Sequence, residues 1–162
     1  MSETFPAVPA DLLMRIVDDA LDYGETYGNF WGVFYRGGRR VGTVSLGPCH
    51  DPMAEVISAG CWGRSVGADQ AVWVLSTVSD DYPVGRPHLV MIYTDELGAQ
   101  IMRMRRLAIY DDGTVGPAGS WEDYPVDESR MAAAAIPWNL HAGDAPSIRM
   151  LLESRGHIVH PA

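Results

Sequence analysis

"GNFWGVFYRGGRRVGTVSLG", residues 28–47, carries the pattern from which the fold class is predicted. Aromatic and β-branched residues stand on both sides of Gly37-Gly38, and paired glycines are typical of the two-residue turns that close β-hairpins. The pattern predicts a hairpin with strands near 29–36 and 39–46. The fold is therefore expected to contain an antiparallel sheet.

The turn position also predicts the register of this hairpin. If the turn is centred on the two glycines, Phe34 lies opposite Val41 and Trp31 lies opposite Val44. Successive side chains of a strand point to opposite faces of the sheet, so both faces then carry large apolar groups. We expect the hairpin to be covered on both sides.

An amphipathic helix is predicted before the hairpin, over residues 9–23. Its apolar residues recur at helical spacing and its acidic residues fill the opposite side. Pro9 suits a first helical turn and Gly24 suits a stop. This N-terminal helix is expected to lie on the sheet.

A second helix follows the hairpin and ends near Val66. Asp51 is the expected N-cap, Pro52 takes the first helical position, and Glu55 adds an acid to the first turn. Because the helix lies between strands, it is predicted to be a crossover connection. Its expected buried side contains Met53, Val56, Ile57 and Cys61.

The remaining chain adds strands and then helices. Residues 70–78, 88–94 and 99–110 have the length and β-branched content of strands, and 111–125 is a loop with a short extra strand. Short helices are predicted near 127–135 and 146–155, the second bracketed by Asp144, Pro146 and Gly156. The tail 157–162 is expected to be frayed or packed. The predicted fold is α+β: one domain over 1–162, with a mostly antiparallel sheet of about five strands, the N-terminal helix, one crossover helix and short C-terminal helices.

Composition limits the classes of function. The chain has 162 residues, a net charge of −9 and 12 basic residues, all of them arginine. An arginine-only basic set is typical of a GC-rich bacterial or phage coding sequence, and the acidic balance disfavours nucleic-acid binding. No apolar run has the length of a membrane helix and no secretory signal is visible, so we expect a cytoplasmic protein without membrane attachment.

The segment Cys49-His50-Asp51 is the strongest candidate for chemistry. A thiol near a helix N-terminus and an imidazole is a potential nucleophile. The favoured interpretation is structural, with Asp51 as a helix cap, Cys49 as a small half-buried residue and His50 in solvent. The alternative is a cysteine-dependent hydrolase or transferase that uses Cys49 with His50 or His88.

Metal and cofactor sites are not expected. Cys49, His50, Cys61 and His88 have zinc-compatible side chains, but they lack the paired spacing of structural zinc sites. His157 and His160 stand three apart and need an ordered tail to bind a metal. The glycine-rich stretches match neither a dinucleotide fingerprint nor a Walker A loop, which requires a lysine that the chain does not contain.

A partner-binding surface is predicted on one strand and in two loops. In "MRMRRL", residues 102–107, Arg103 and Arg105 project to one face of a strand. Trp121 and Trp138 lie in irregular segments, and tryptophan and arginine are enriched at interfaces. The same residues also suit structural roles, as charges that protect a strand edge and as pins for long loops.

The sequence therefore favours a non-enzymatic function. We expect a subunit that binds another protein or a second copy of itself, with no cofactor. The cysteine-dependent enzyme remains the alternative.

Overall fold

The computed structural model describes residues 15, 30–47, 52–78, 87–112, 115–120, 122–123, 138 and 143–161. Within these ranges the elements are β1 (Phe30–Arg36), β2 (Arg39–Leu46), α1 (Pro52–Ser65), β3 (Gln70–Val78), β4 (Pro87–Asp95), β5 (Gln100–Ile109), β6 (Val115–Pro117), β7 (Glu122–Asp123), α2 (Ala145–Ser154) and β8 (Ile158–Pro161).

The strands form one antiparallel sheet in the order β6-β5-β4-β3-β1-β2-β8, with β7 also paired to β5. Helix α1 connects β2 to β3, which lie on either side of β1, so the predicted crossover helix and the α+β class are confirmed. Of the predicted N-terminal helix, only Arg15 lies within the described residues, and it is helical. The predicted helix at 127–135 lies outside them.

The predicted hairpin is present, but its register is wrong beyond the first two pairs. The strand ends and the two-residue turn match the prediction. A bulge next to Phe34 and Tyr35 then shifts the pairing by one residue. Trp31 consequently pairs with Ser45 instead of Val44.

The reason for the bulge is a close approach between the hairpin and α1. The shift places Gly42 opposite Phe34, where a regular register would place Val41. The ring of Trp62 packs directly over Gly42, and a Cβ at that position would overlap the ring. Helix packing, rather than the turn alone, therefore sets the register of β2.

Both faces of the sheet are buried, as the hairpin pattern predicts. The helix face carries Phe34 and Trp73, whose rings meet edge to face with centroids 5.5 Å apart. The opposite face carries Trp31, Val33 and Tyr35 of β1. Burial of this much aromatic surface is the main stabilising contribution of the fold.

The buried side of α1 differs from the predicted one. Val56 is buried as expected, but Ile57 and Cys61 are only partly buried. Ala59 and Trp62 are buried in the core instead. The helix is rotated from the predicted orientation because its glycine at 63 receives the ring of Phe34, a close approach that a Cβ would block.

Of the two states expected for the C-terminal tail, frayed or packed, the structure shows the packed one: the tail forms strand β8. Asp144 caps α2 by accepting hydrogen bonds from the Ser147 amide and hydroxyl, at 3.0 and 2.6 Å, as the predicted bracket implies. Gly156 then turns the chain with φ +86°, and β8 pairs antiparallel with β2. Val159 is buried in the helix-face core, which fixes the strand in place.

Candidate functional site

Polar side chains and backbone amides meet in two clusters at opposite ends of the sheet. The first, which we call the histidine cluster, contains Gly47, Glu55, Arg155 and His157. It lies where β2 ends, where α1 begins and where α2 turns into β8. The segment Cys49-His50-Asp51 connects Gly47 to α1 in sequence, so this cluster is the part of the described structure most relevant to the predicted chemistry.

The His157 side chain is fully buried, and both ring nitrogens have partners. The Gly47 amide donates to Nδ1 at 3.0 Å, and Nε2 lies 2.8 Å from a carboxylate oxygen of Glu55. Because Nδ1 accepts a hydrogen bond, the ring proton is on Nε2 and is donated to Glu55. Arg155, about half exposed, donates to the other Glu55 oxygen at 3.2 Å.

Backbone geometry brings His157 to this position. The His157 amide donates to the carbonyl of Leu152 in the last turn of α2, at 3.1 Å. Gly156 provides the left-handed residue that such a helix end requires. Gly47 has no Cβ, and one placed there would lie 3.0 Å from the Gly156 carbonyl oxygen. The two glycines therefore allow the end of β2 to approach the imidazole.

This arrangement joins distant parts of the chain, and it leaves no nitrogen of the His157 ring free to act as a general base. One imidazole links Gly47, the residue after β2, to Glu55 in the first turn of α1; these residues are 110 and 102 positions away from His157 in sequence. Neither ring nitrogen is available to accept a proton from another group while both bonds are made. The interactions stabilise the junction of three elements.

The sequence did not indicate this cluster. Local pattern indicates Glu55 only as an acid in the first turn of α1, and His157 only as a tail residue that could bind a metal together with His160. The one signal was the pair of residues Gly156-His157 after a helix, which is also common in purely structural turns. The separation of about a hundred residues leaves no local pattern that pairs the two side chains.

The predicted nucleophile and its neighbours are only partly placed. Cys49, His50 and Asp51 lie outside the described residues. His88 is on β4, with its backbone opposite Arg106 of β5, and its side chain is not among the described groups. Cys61 is a free, partly buried thiol on α1, whose pKa is raised by burial and lowered to a smaller extent by Arg64.

The second group, the tyrosine cluster, lies at the opposite end of the sheet. Gln70 donates to the Tyr93 hydroxyl at 3.2 Å, and this hydroxyl donates to Asp95 at 3.0 Å. All three side chains are buried or nearly so. Burial, followed by the charge of Asp95, raises the pKa of Tyr93 well above its ordinary value, so the phenol is neutral at physiological pH.

The tyrosine cluster is closed by backbone amides. The other Asp95 oxygen accepts hydrogen bonds from the amides of Leu97 and Ala99 in the β4–β5 turn, at 3.0 and 2.9 Å. Gln70 accepts from the Gly38 amide at 2.9 Å. These bonds satisfy the buried polar atoms, so the cluster fixes two turns rather than presenting a reactive group.

The two arginines predicted to bind a partner lie on β5, on the face of the sheet opposite the helices. Met102 and Met104 are buried in the helix-face core, so Arg103 and Arg105 project to the opposite face, as the alternation predicts. Arg105 donates to the carbonyl of Gly119, which ties the strand to the loop after β6. Arg103 lies opposite Asp123 of β7, so β5 has neighbours on both sides at this point.

The structure describes one of the two tryptophans that were predicted to bind a partner. Trp121 lies outside the described residues. Trp138 is half-buried against the helix-face core, and its indole nitrogen donates to the Thr94 hydroxyl at 2.9 Å. Its carbonyl accepts from Arg64 at 2.6 Å. The backbone of Trp138 is helical, so the prediction of an irregular segment is wrong at this residue. The two hydrogen bonds join Trp138 to β4 and to α1, and its role in partner binding stays a prediction.

A metal site is not assembled in the described part of the chain, where no three His, Cys, Asp or Glu side chains come together. His160 is exposed on β8, whereas His157 is buried, so the two do not present a common pair. Neither described helix is long and apolar enough to cross a membrane.

Comparisons of the chain with protein-family models, with curated proteins and with solved structures found no match. The fold and the clusters define an α+β domain built on an antiparallel sheet.

Proposed function

We propose that this chain is a non-catalytic protein-binding domain that associates with a second copy of itself through the outer side of α2. The observation that carries this proposal is the exposure of two large apolar side chains on that helix, Met150 at 70% and Leu151 at 44%. Methionine and other apolar residues form the centre of many interfaces, with charged residues around them.

The outer side of α2 forms a defined stripe. Leu152 is fully buried and Ile148 packs against the core, so these two residues mark the inner side of the helix. The residues at 147, 150, 151 and 154 are all exposed and follow the i, i+3, i+4, i+7 spacing of one helical side. We call these four residues the α2 stripe: Ser147, Met150, Leu151 and Ser154.

The α2 stripe of one copy can pack against the α2 stripe of a second copy when the two helices are antiparallel. A twofold axis perpendicular to α2, midway between Met150 and Leu151, brings Met150 of one copy against Leu151 of the other. The same axis brings Ser147 against Ser154. Small residues at both ends allow the helices to approach, and twofold contacts of this isologous kind are the commonest in homo-oligomers. The area available on ten residues is small, so the expected dimer is weak.

Solution mass tests the proposal. Sedimentation velocity over a wide range of concentration should show a monomer–dimer equilibrium for the unmodified chain. The double change Met150→Ser and Leu151→Ser should shift the chain to monomer. Leu97→Ser is the matched control, because Leu97 is equally exposed, at 69%, but lies in the β4–β5 turn. A monomer at every concentration contradicts the proposal, as does an equal effect of the control.

Cysteine cross-linking tests the orientation. Two proteins, Ser147→Cys and Ser154→Cys, are prepared with Cys49 and Cys61 replaced by serine and checked for native circular dichroism. On mild oxidation of the mixture, the antiparallel arrangement predicts a disulfide between the two different proteins. Disulfides mainly between identical proteins would contradict the α2 arrangement.

One observation favours the cysteine-dependent enzyme as a second candidate. His157, an imidazole hydrogen-bonded to a carboxylate, contacts Gly47, which precedes Cys49 by two residues. Orientation of an imidazole by an acid is one element of nucleophilic catalysis, although both nitrogens of His157 are already engaged. This histidine, rather than His50 or His88, would be the group to test.

Iodoacetamide labelling across pH distinguishes this candidate from the binding domain. An activated Cys49 reacts well below pH 8 and loses that reactivity in a His157→Asn variant. Cys61, whose pKa is raised, serves as the internal comparison. Labelling of Cys49 with an ordinary thiol pKa of about 8.5 argues against catalysis.

A further inference from the structure

Three arginines surround the tip of the β1–β2 hairpin. Arg36 and Arg39 flank the turn, are exposed and lie directly opposite each other across the two strands. Arg40 follows, opposite Tyr35. We call Arg36, Arg39 and Arg40 the arginine tip. Like charges placed opposite each other destabilise a hairpin, so this arrangement has an energetic cost that turn formation does not require.

The turn that carries these arginines is held rigidly. Its two glycines have φ +55° and +79°, the left-handed conformation of tight hairpin turns. The Gly37 amide donates to Asp69 at 3.1 Å and the Gly38 amide to Gln70 at 2.9 Å. Because Gln70 belongs to the buried tyrosine cluster, the tip is anchored to the core. A partner would find the backbone already ordered and would not have to fix it on binding.

Asp69 and Asp95, two carboxylates near the turn, already accept hydrogen bonds from other groups. Asp69 directs both oxygens at the Gly37 amide, at 3.1 and 3.4 Å. Asp95 is buried and bonded to Tyr93 and to the β4–β5 turn. Glu96 is an exposed acid of that turn. In the described part of the chain, neither Arg36 nor Arg39 forms an ion pair with any of them.

We infer that the arginine tip binds an acidic polypeptide segment, through guanidinium–carboxylate hydrogen bonds from Arg36 and Arg39. The charge of the tip is opposite to that of the chain as a whole, which is −9, so it marks one location where an anionic group is favoured. Arginine presents a planar donor fork that matches a carboxylate. The two side chains start about 5 Å apart across the hairpin, so carboxylates on an extended chain can reach both.

A nucleic acid fits this surface less well. Proteins that bind DNA tightly neutralise about 6–10 phosphates, whereas the tip has two exposed arginines, Arg36 and Arg39, on a strongly acidic chain. Long-range repulsion would act on a polyanion that extends beyond the tip. A short acidic segment with a few carboxylates avoids that repulsion. This surface is separate from the α2 stripe, so the inference goes beyond the proposed self-association and does not depend on it.

Fluorescence anisotropy with a short labelled glutamate-rich peptide tests the inference. The unmodified chain should bind at low salt, and binding should weaken as salt increases. The double change Arg36→Gln and Arg39→Gln should weaken binding about tenfold or more, since two charge-assisted contacts are lost. Arg106→Gln is the control, because Arg106 is exposed on β5 and its loss changes the net charge without touching the tip.

Three outcomes overturn the inference. The first is the absence of peptide binding by the natively folded chain at low salt. The second is an equal loss of binding in the Arg106 control, which would indicate a general charge effect. The third is tighter binding of a single-stranded oligonucleotide of equal charge, which would point to nucleic acid. Thermal denaturation of each variant establishes that it is folded before the anisotropy is compared.

Discussion

The two ends of the sheet are closed by different kinds of hydrogen-bonded groups. At both ends, loops must be closed and their backbone amides satisfied. At one end, in the tyrosine cluster, the neutral side chains of Gln70 and Tyr93 form a hydrogen-bonded chain to Asp95. Asp95 also accepts hydrogen bonds from backbone amides only two and four residues away. At the other, the histidine cluster uses a buried imidazole and a carboxylate about a hundred residues apart.

Only the end with the histidine cluster depends on the whole fold. The β4–β5 turn can be ordered by its own aspartate as soon as the two strands pair. The junction at Gly47 requires β2, α1 and the turn between α2 and β8 to be in place together. Long-range closure costs more chain entropy, so we expect the histidine cluster to form late and to couple α2 and β8 to the rest of the sheet.

The largest effect is expected at the histidine cluster. His157→Ala removes the partners of the Gly47 amide and of one Glu55 oxygen and leaves a cavity at a fully buried site. The expected loss of stability is about 3 kcal/mol. Chemical denaturation measures it. His160→Ala, an exposed histidine on the same strand, is the control, and equal losses for the two variants would contradict the role given to the buried ring.

A smaller effect is expected at the tyrosine cluster. Tyr93→Phe leaves Gln70 and Asp95 without their shared hydroxyl, at a cost of about 1–2 kcal/mol near neutral pH. The folded-state pKa of Tyr93 is raised, so folding favours the neutral phenol. The contribution of Tyr93 to stability is therefore fully present below about pH 10, the pKa of tyrosine in the unfolded chain, and it declines as pH rises above that value.

The pH dependence of Tyr93→Phe separates the contribution of the tyrosine cluster from that of the histidine cluster. The part of the alkaline decline that comes from Tyr93 should be absent in the variant, while His157→Ala should retain it. Denaturation curves from neutral pH to about pH 11 measure the slopes. Identical alkaline slopes in the unmodified chain and the Tyr93 variant would show that the phenol is not held neutral by the fold.

The smallest effect is expected at the start of α2. Asp144 is a fully exposed cap whose pKa is lowered by the hydroxyl and the amide of Ser147. Its stabilising contribution is present above its unfolded value, about pH 4, and is lost as pH falls through the lower folded value. Asp144→Ala should therefore reduce thermal stability slightly at neutral pH and have no further effect in strong acid. A variant difference that grows on acidification would have the wrong sign.

Much of the described secondary structure could be predicted from local pattern. The strand at 70–78 was predicted at its observed ends, and α2 within one residue, because an Asp-x-Pro start and a glycine stop are local signals. The strands at 88–94 and 99–110 were close to the observed Pro87–Asp95 and Gln100–Ile109. These segments have clear period and composition, which do not depend on the rest of the fold.

The errors came from contacts between distant segments. The bulge in β2 depends on the ring of Trp62 over Gly42, and nothing in the hairpin sequence indicates that contact. β8 was missed because four residues with one buried side chain have no readable period. The link between Glu55 and His157 was missed for the same reason, since it exists only after three elements meet.

The packing of aromatic rings on glycines has a spectroscopic consequence. Trp62 lies between α1 and the sheet, Trp73 packs on Gly32 in the sheet itself, and Trp31 lies on the opposite face, each less than 5% exposed. An indole in such a dry, rigid setting emits at shorter wavelength than one in water. Fluorescence of Trp62 therefore reports the packing of α1 on the sheet, and fluorescence of Trp31 reports the opposite face of the sheet. Single tryptophan-to-phenylalanine variants can follow the two faces separately during unfolding.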